Sequence, residues 1–152
     1  MGTLIRYLLG RRQAILDLAA SRRTLATGFV LVLTAGIARE YDGGNAWWHV
    51  LVPAAVSYVA SYVLFVIAFH GLERAASRSA ELRASVPPML PAFRVFLSLF
   101  WMTAPMAWLY AVPYERFLSP ADAMAANLLT LGLVSVWRVA LMVRVLVVLM
   151  GY

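Results

Sequence analysis

The sequence has no cysteine and no lysine, and only 7 of its 152 residues are aspartate or glutamate. Without cysteine there is no disulfide, no thiol nucleophile and no thiolate metal site. Without lysine, all 13 basic residues are arginine; a compositional bias toward arginine and alanine explains this, and affinity for lipid phosphate is a secondary gain. The few acids, Asp17, Glu40, Asp42, Glu73, Glu81, Glu115 and Asp122, fall in the amino-terminal segment, in loops or at helix ends. No expected membrane segment holds a carboxylate, and proton- or cation-coupled transport usually needs one. A three-histidine zinc set, a glycine-rich phosphate loop and a GxSxG elbow are missing too.

What is present is apolar. Hydrophobic residues make up 63% of the chain and charged ones 13%, whereas a soluble domain carries about 45–50% and about 25%. The implied solvent for most of the surface is lipid. A net charge of +6 raises the question of nucleic acid, but the arginines flank apolar runs instead of forming one basic face, so nucleic acid is not the expected partner. The expected fold is all-α: one membrane domain over residues 1–152, a bundle of four transmembrane helices preceded by an amphipathic interfacial helix.

That first helix spans residues 3–20. Ile5, Leu8, Leu9, Ile15 and Leu16 recur at helical spacing, with Gly10 as a potential kink and Arg12 intruding on the stripe. It either lies on an anionic membrane face or packs against the end of the bundle. Three interrupting arginines argue against a signal peptide. Ser21 is placed to cap the first crossing, residues 24–38, which reaches only about 22 Å of the roughly 30 Å hydrocarbon core. The second crossing, 46–70, is the longest uninterrupted apolar run before a polar cytoplasmic connector at 71–92. The third, 93–112, carries Pro105 near its centre, which predicts a kink and a freed carbonyl at Trp101. Ser119 and Pro120 then form a start signal for the fourth crossing, 122–143. Residues 144–152 read as a cytoplasmic or interfacial tail, with Val145 onward as the alternative start of a fifth helix.

Eleven arginines (Arg6, Arg11, Arg12, Arg22, Arg23, Arg74, Arg78, Arg83, Arg94, Arg138 and Arg144) fall on one side of this topology, and Arg39 and Arg116 on the other. The positive-inside rule places both termini and the connector in the cytoplasm.

Three sets of residues are candidates for function. Arg39, Glu40, Asp42, Glu115, Arg116 and Asp122 gather in the two outer loops, as a structural clasp or an interaction site. Ser57, Tyr58, Ser61, Tyr62, Thr103, Ala107, Ala111, Asn127 and Arg138 lie on faces suited to close helix packing or to a lipid or cofactor contact. Asn127 and Arg138 of this set share one stripe with Thr130 and Val134. For Arg138 the choices are snorkelling to lipid phosphate, satisfying carbonyls freed by Pro105, or holding an anion between helices. His49 and His70 are possible axial ligands, but about 32 Å apart on one helix they cannot share a haem.

The runs Ala38-Arg39-Glu40-Tyr41-Asp42-Gly43, Phe100-Trp101-Met102-Thr103-Ala104-Pro105 and Tyr114-Glu115-Arg116-Phe117 resemble stretches in uncharacterised multi-pass inner-membrane proteins of bacteria. The resemblance implies location and topology, with no activity to carry over. The expected function is that of a non-enzymatic accessory, scaffold or assembly subunit whose partners are lipids and other membrane-protein subunits. The alternatives are a pigment- or haem-binding subunit, and a small transporter or lipid-modifying enzyme. No metal or cofactor is indicated by the residues themselves.

Overall fold

A computed structural model of the chain describes residues 2–39, 48–77 and 88–149, which form helices and contain no strand. Among the described residues six α-helices follow one another: α1 Gly2–Leu8, α2 Arg12–Ala20, α3 Thr24–Arg39, α4 Trp48–Ala76, α5 Met89–Trp101 and α6 Pro120–Leu149. Two 3-10 helices, Ala104–Ala111 and Tyr114–Arg116, lie between α5 and α6. Three stretches, Ala54–Gly71, Met89–Arg116 and Pro120–Leu149, are long and apolar enough to cross a membrane. The surface agrees, with Leu90 78% and Val136 70% exposed and much of α4 and α6 turning apolar side chains outward. In water such a surface would drive aggregation, and in lipid it costs nothing. Among the described residues the chain is all-helical, with three stretches suited to a membrane by length and composition.

The amino-terminal segment is two helices, not one. Gly10 adopts a φ of 69°, its N–H bonds the Tyr7 carbonyl at 2.8 Å and the Arg11 N–H bonds the Arg6 carbonyl at 3.0 Å. This is the Schellman arrangement, in which a left-handed residue closes a helix and supplies its last carbonyls with donors. The break resets the helical phase. Tyr7, Ala14 and Ile15 are the buried residues, while Ile5, Leu9 and Leu16 from the expected stripe are exposed. The pair docks against the bundle: Trp137 Nε1 on α6 donates to the Leu8 carbonyl at 2.9 Å.

Other boundaries move as well. Pro88 precedes α5 and Pro91 lies in its first turn, where the missing N–H would have had no intrahelical partner. The third apolar helix therefore starts before residue 93, and the connector shortens at both ends because α4 runs on to Ala76. Within the connector, residues 78–87 lie outside the described residues. At the carboxyl end α6 continues unbroken through Arg144 to Leu149, with Val145 and Val148 buried, so Val145 does not begin a separate fifth helix. The start signal at Ser119 operates as expected: its hydroxyl accepts the Asp122 N–H at 3.3 Å and donates to the Asp122 carboxylate at 2.6 Å, with proline at the first helical position.

α3 and α5 approach closely at Gly28. A Cβ on Gly28 would lie 2.9 Å from Trp101 Cβ and 3.2 Å from the Ser98 carbonyl oxygen, so only glycine allows the two backbones this approach. Phe29 then rests on the Trp101 ring at a centroid distance of 5.5 Å. α3 itself is short, about 24 Å by its 16 residues. Gly28→Ala is expected to destabilise the protein by about 1–3 kcal/mol, the usual cost of overpacking, as read by denaturation in detergent. At Gly132 an added Cβ would meet nothing within 4 Å, so Gly132→Ala is expected to be neutral or mildly stabilising in the same assay.

Candidate functional site

The end of α5 generates the polar centre of the molecule. Pro105 cannot donate to the carbonyl four residues back, and α5 already stops at Trp101, ahead of the 3-10 helix Ala104–Ala111. The Thr103 N–H bonds the Phe100 carbonyl at 3.1 Å instead of the Leu99 carbonyl it would reach in a continuing α-helix. The Leu99 carbonyl takes its donor from elsewhere, the buried phenol of Tyr7 at 2.6 Å. The sequence pointed to a freed carbonyl at Trp101. The unwinding instead begins earlier, and Leu99 is the carbonyl supplied by a side chain from another element.

Arg138 joins this centre. Its Nε donates to Thr103 Oγ1 at 2.9 Å, Thr103 Oγ1 donates to the Phe100 carbonyl at 2.6 Å, and the guanidinium lies 4.7 Å from the centroid of the Phe100 ring. Arg138 therefore reaches across to the end of α5. The cation over the aromatic face and the charged hydrogen bond both offset the cost of withdrawing it from water. Burial pushes the Tyr7 phenol pKa up, and the nearby Arg138 charge pulls it partly back. The result is a neutral phenol beside a permanent cation, a pair that exchanges no proton near neutral pH.

The face of α6 that carries Arg138 is the stripe expected from spacing. Thr130 Oγ1 bonds the Tyr114 hydroxyl at 2.8 Å, Asn127 Nδ2 donates to Glu115 Oε1 at 2.8 Å, and Val134 is buried. Glu115 and Asp122 are thus each engaged by a neighbouring polar side chain. For Glu115 that neighbour is on α6. Glu40, Tyr41 and Asp42 lie outside the described residues, as do the side chains of Arg39 and His49. The first-loop half of the expected clasp therefore falls outside the described residues.

On α4, Ser61 is fully buried and its hydroxyl donates to the Tyr58 carbonyl at 2.7 Å. Tyr58 and Tyr62 both meet Phe93 edge-on, at 5.8 and 5.5 Å between centroids. Phe65 continues the aromatic contact to Phe96, and Phe96 to Phe100. An aromatic run thus leads from α4 along α5 to the Arg138 guanidinium. Among the described residues Ser57 Oγ and Trp101 Nε1 are buried without a hydrogen-bond partner. Thr103 is fully buried, and Ala107 and Ala111 are half-buried, so the small-residue faces of α4 and of the α5 region serve packing within the chain. His70 is exposed and its Nδ1 pairs with Glu73 Oε2 at 3.1 Å, at the polar end of α4.

Spacing did not single out Tyr7, because a continuous helix over residues 3–20 put Ile5 and Leu9 on the buried side. The available signal was Gly10, a residue able to take positive φ and shift the stripe. Among the described residues no group of three or more histidine or acidic side chains is placed to hold a metal. Arginine, phenol and threonine offer anchoring and charge, and no general base. No family model, curated protein or solved structure matches the chain.

Two measurements probe this centre. A double-mutant cycle of Arg138→Ala and Thr103→Val is expected to give a coupling of about 1–2 kcal/mol, read by denaturation in detergent. Tyr7 has a folded pKa raised above its ordinary value of 10.0, so the unfolded chain ionises first. The stabilisation is complete below pH 10 and is lost as pH rises from there toward the folded pKa. Wild type is expected to lose about 1 kcal/mol relative to Tyr7→Phe between pH 10 and 11; parallel pH profiles would contradict the buried phenol.

Proposed function

We propose that the chain is a non-enzymatic accessory, scaffold or assembly subunit of a bacterial inner-membrane complex, crossing the bilayer four times with both termini in the cytoplasm. The observation that carries this reading is the uncovered apolar surface of α6. Its bundle-facing stripe is engaged by the 3-10 segments, while Met124, Leu128, Leu129, Leu133, Val136 and Val139 all face outward. Such a helix offers partner subunits or lipid a long smooth flank. The small-residue faces of α4 and of residues 103–111 lend less support, since Ser61 and Thr103 are fully buried and Ala107 and Ala111 half-buried within the molecule.

The commitment of the polar groups supports the same reading. Tyr7, Thr103, Arg138, Glu115, Asn127 and Asp122 each hold a helix end or join two elements, an arrangement that favours rigidity over turnover. The four-crossing topology rests on α3 serving as a short first crossing, with its flanks or local thinning of the bilayer making up the difference. The excess of arginines at one end of the bundle supports the orientation, and the resemblance of residues 38–43 to bacterial inner-membrane proteins supports the location.

Extraction from its native membrane in mild detergent, followed by native mass spectrometry, tests the proposal. The expected spectrum contains the chain bound to one or more other membrane proteins in fixed stoichiometry. A chain that is always monomeric and partner-free would overturn it.

A further inference from the structure

Between the α2–α3 junction and α5 lies a cleft of about 360 Å³ lined by Ser21, Arg22, Leu25, Arg94, Val95 and Ser98, together with two α2 alanines. Two exposed arginines from separate elements line it, and among the described residues no acidic side chain does. Thr24 starts α3 and Arg94 lies near the start of α5, so the cleft sits at the polar end of two apolar helices. Below the arginines the walls turn apolar at Leu25 and Val95. One turn past Leu25 on the same face of α3 is Phe29, 42% exposed and resting on Trp101.

We infer that this cleft binds the phosphate of an anionic phospholipid. Guanidinium groups are suited to bidentate phosphate contacts, and basic pockets between transmembrane helices hold anionic head groups. The first turn of α3 adds a dipole of the same sign. A free phosphate would use only the arginines. The apolar walls beneath them and the exposed Phe29 ring supply a path for acyl chains, and this favours a lipid. The inference rests on the membrane-protein reading and is independent of any partner subunit.

The test uses the full chain in non-ionic detergent, with phosphatidylglycerol or phosphatidylcholine added and retained lipid counted by native mass spectrometry. Wild type is expected to retain one phosphatidylglycerol in preference to phosphatidylcholine. The Arg22→Gln/Arg94→Gln pair is expected to weaken that binding roughly thirtyfold, the effect of two arginines near an anionic surface. Arg11→Gln/Arg12→Gln removes equal charge from exposed positions elsewhere and is expected to leave retention unchanged.

Equal retention of both lipids by wild type, or equal losses in the two double variants, would overturn the site. Displacement of the lipid by millimolar inorganic phosphate would overturn the lipid assignment in favour of a free anion. If the Arg22/Arg94 variant fails to fold, Arg22→Lys/Arg94→Lys replaces it: charge is kept and the planar fork is lost, so intermediate affinity is expected and undiminished affinity counts against the site. A chain that remains dispersed without detergent would refute the membrane reading itself. Lipid-blind binding by a detergent-dependent chain would refute only the cleft.

Discussion

The organisation of this protein depends on how a helix ends inside an apolar environment. Pro105 prevents α5 from continuing as a regular α-helix, and carbonyls near its end must be supplied locally, since lipid offers no donors. Thr103 serves the Phe100 carbonyl twice, by its backbone N–H and by its hydroxyl, and Tyr7 serves the Leu99 carbonyl. Once these bonds are required, the amino-terminal hairpin must dock where Tyr7 reaches Leu99, and α6 must pass where Arg138 reaches Thr103. One interrupted helix therefore fixes the places of two others.

The same constraint explains an arginine among apolar helices with an aromatic face and a threonine beside it. A guanidinium drawn inward is costly unless its charge and its donors are met. Phe100 meets the charge and Thr103 meets a donor. Because the cation is permanent and the adjacent phenol stays neutral, the cluster acts as a lock between elements. The molecule's outward chemistry is therefore sought elsewhere, in the uncovered flank of α6 and in the arginine-lined cleft at the head of α3 and α5.

Much of this was legible in the chain. Long apolar runs with flanking arginines identify membrane helices because length and desolvation depend on local composition alone. Ser119-Pro120 marked the start of α6, since a cap needs only its own first turn. The stripe Asn127, Thr130, Val134 and Arg138 marked the buried face of α6, because eleven residues return to nearly the same angle on any straight helix. The stripe proposed for residues 3–20 misplaced the buried face for a related reason: at Gly10 the helix is not straight, and periodicity carries no information across a reset in phase.

Composition, spacing and start signals thus determined the all-helical class, the presence of helices long and apolar enough to cross a membrane, their approximate positions and the facing side of α6. Which groups meet was decided only by tertiary structure. Tyr7 and Leu99 are 92 residues apart, Arg138 and Thr103 are 35 apart, and Arg22 and Arg94 line one cleft. Helical periodicity describes the sides of a single rod, while these meetings depend on crossing points and on where a rod stops. Gly28 allows the close crossing of α3 and α5, and the chain's unwinding after Trp101 sets the stop.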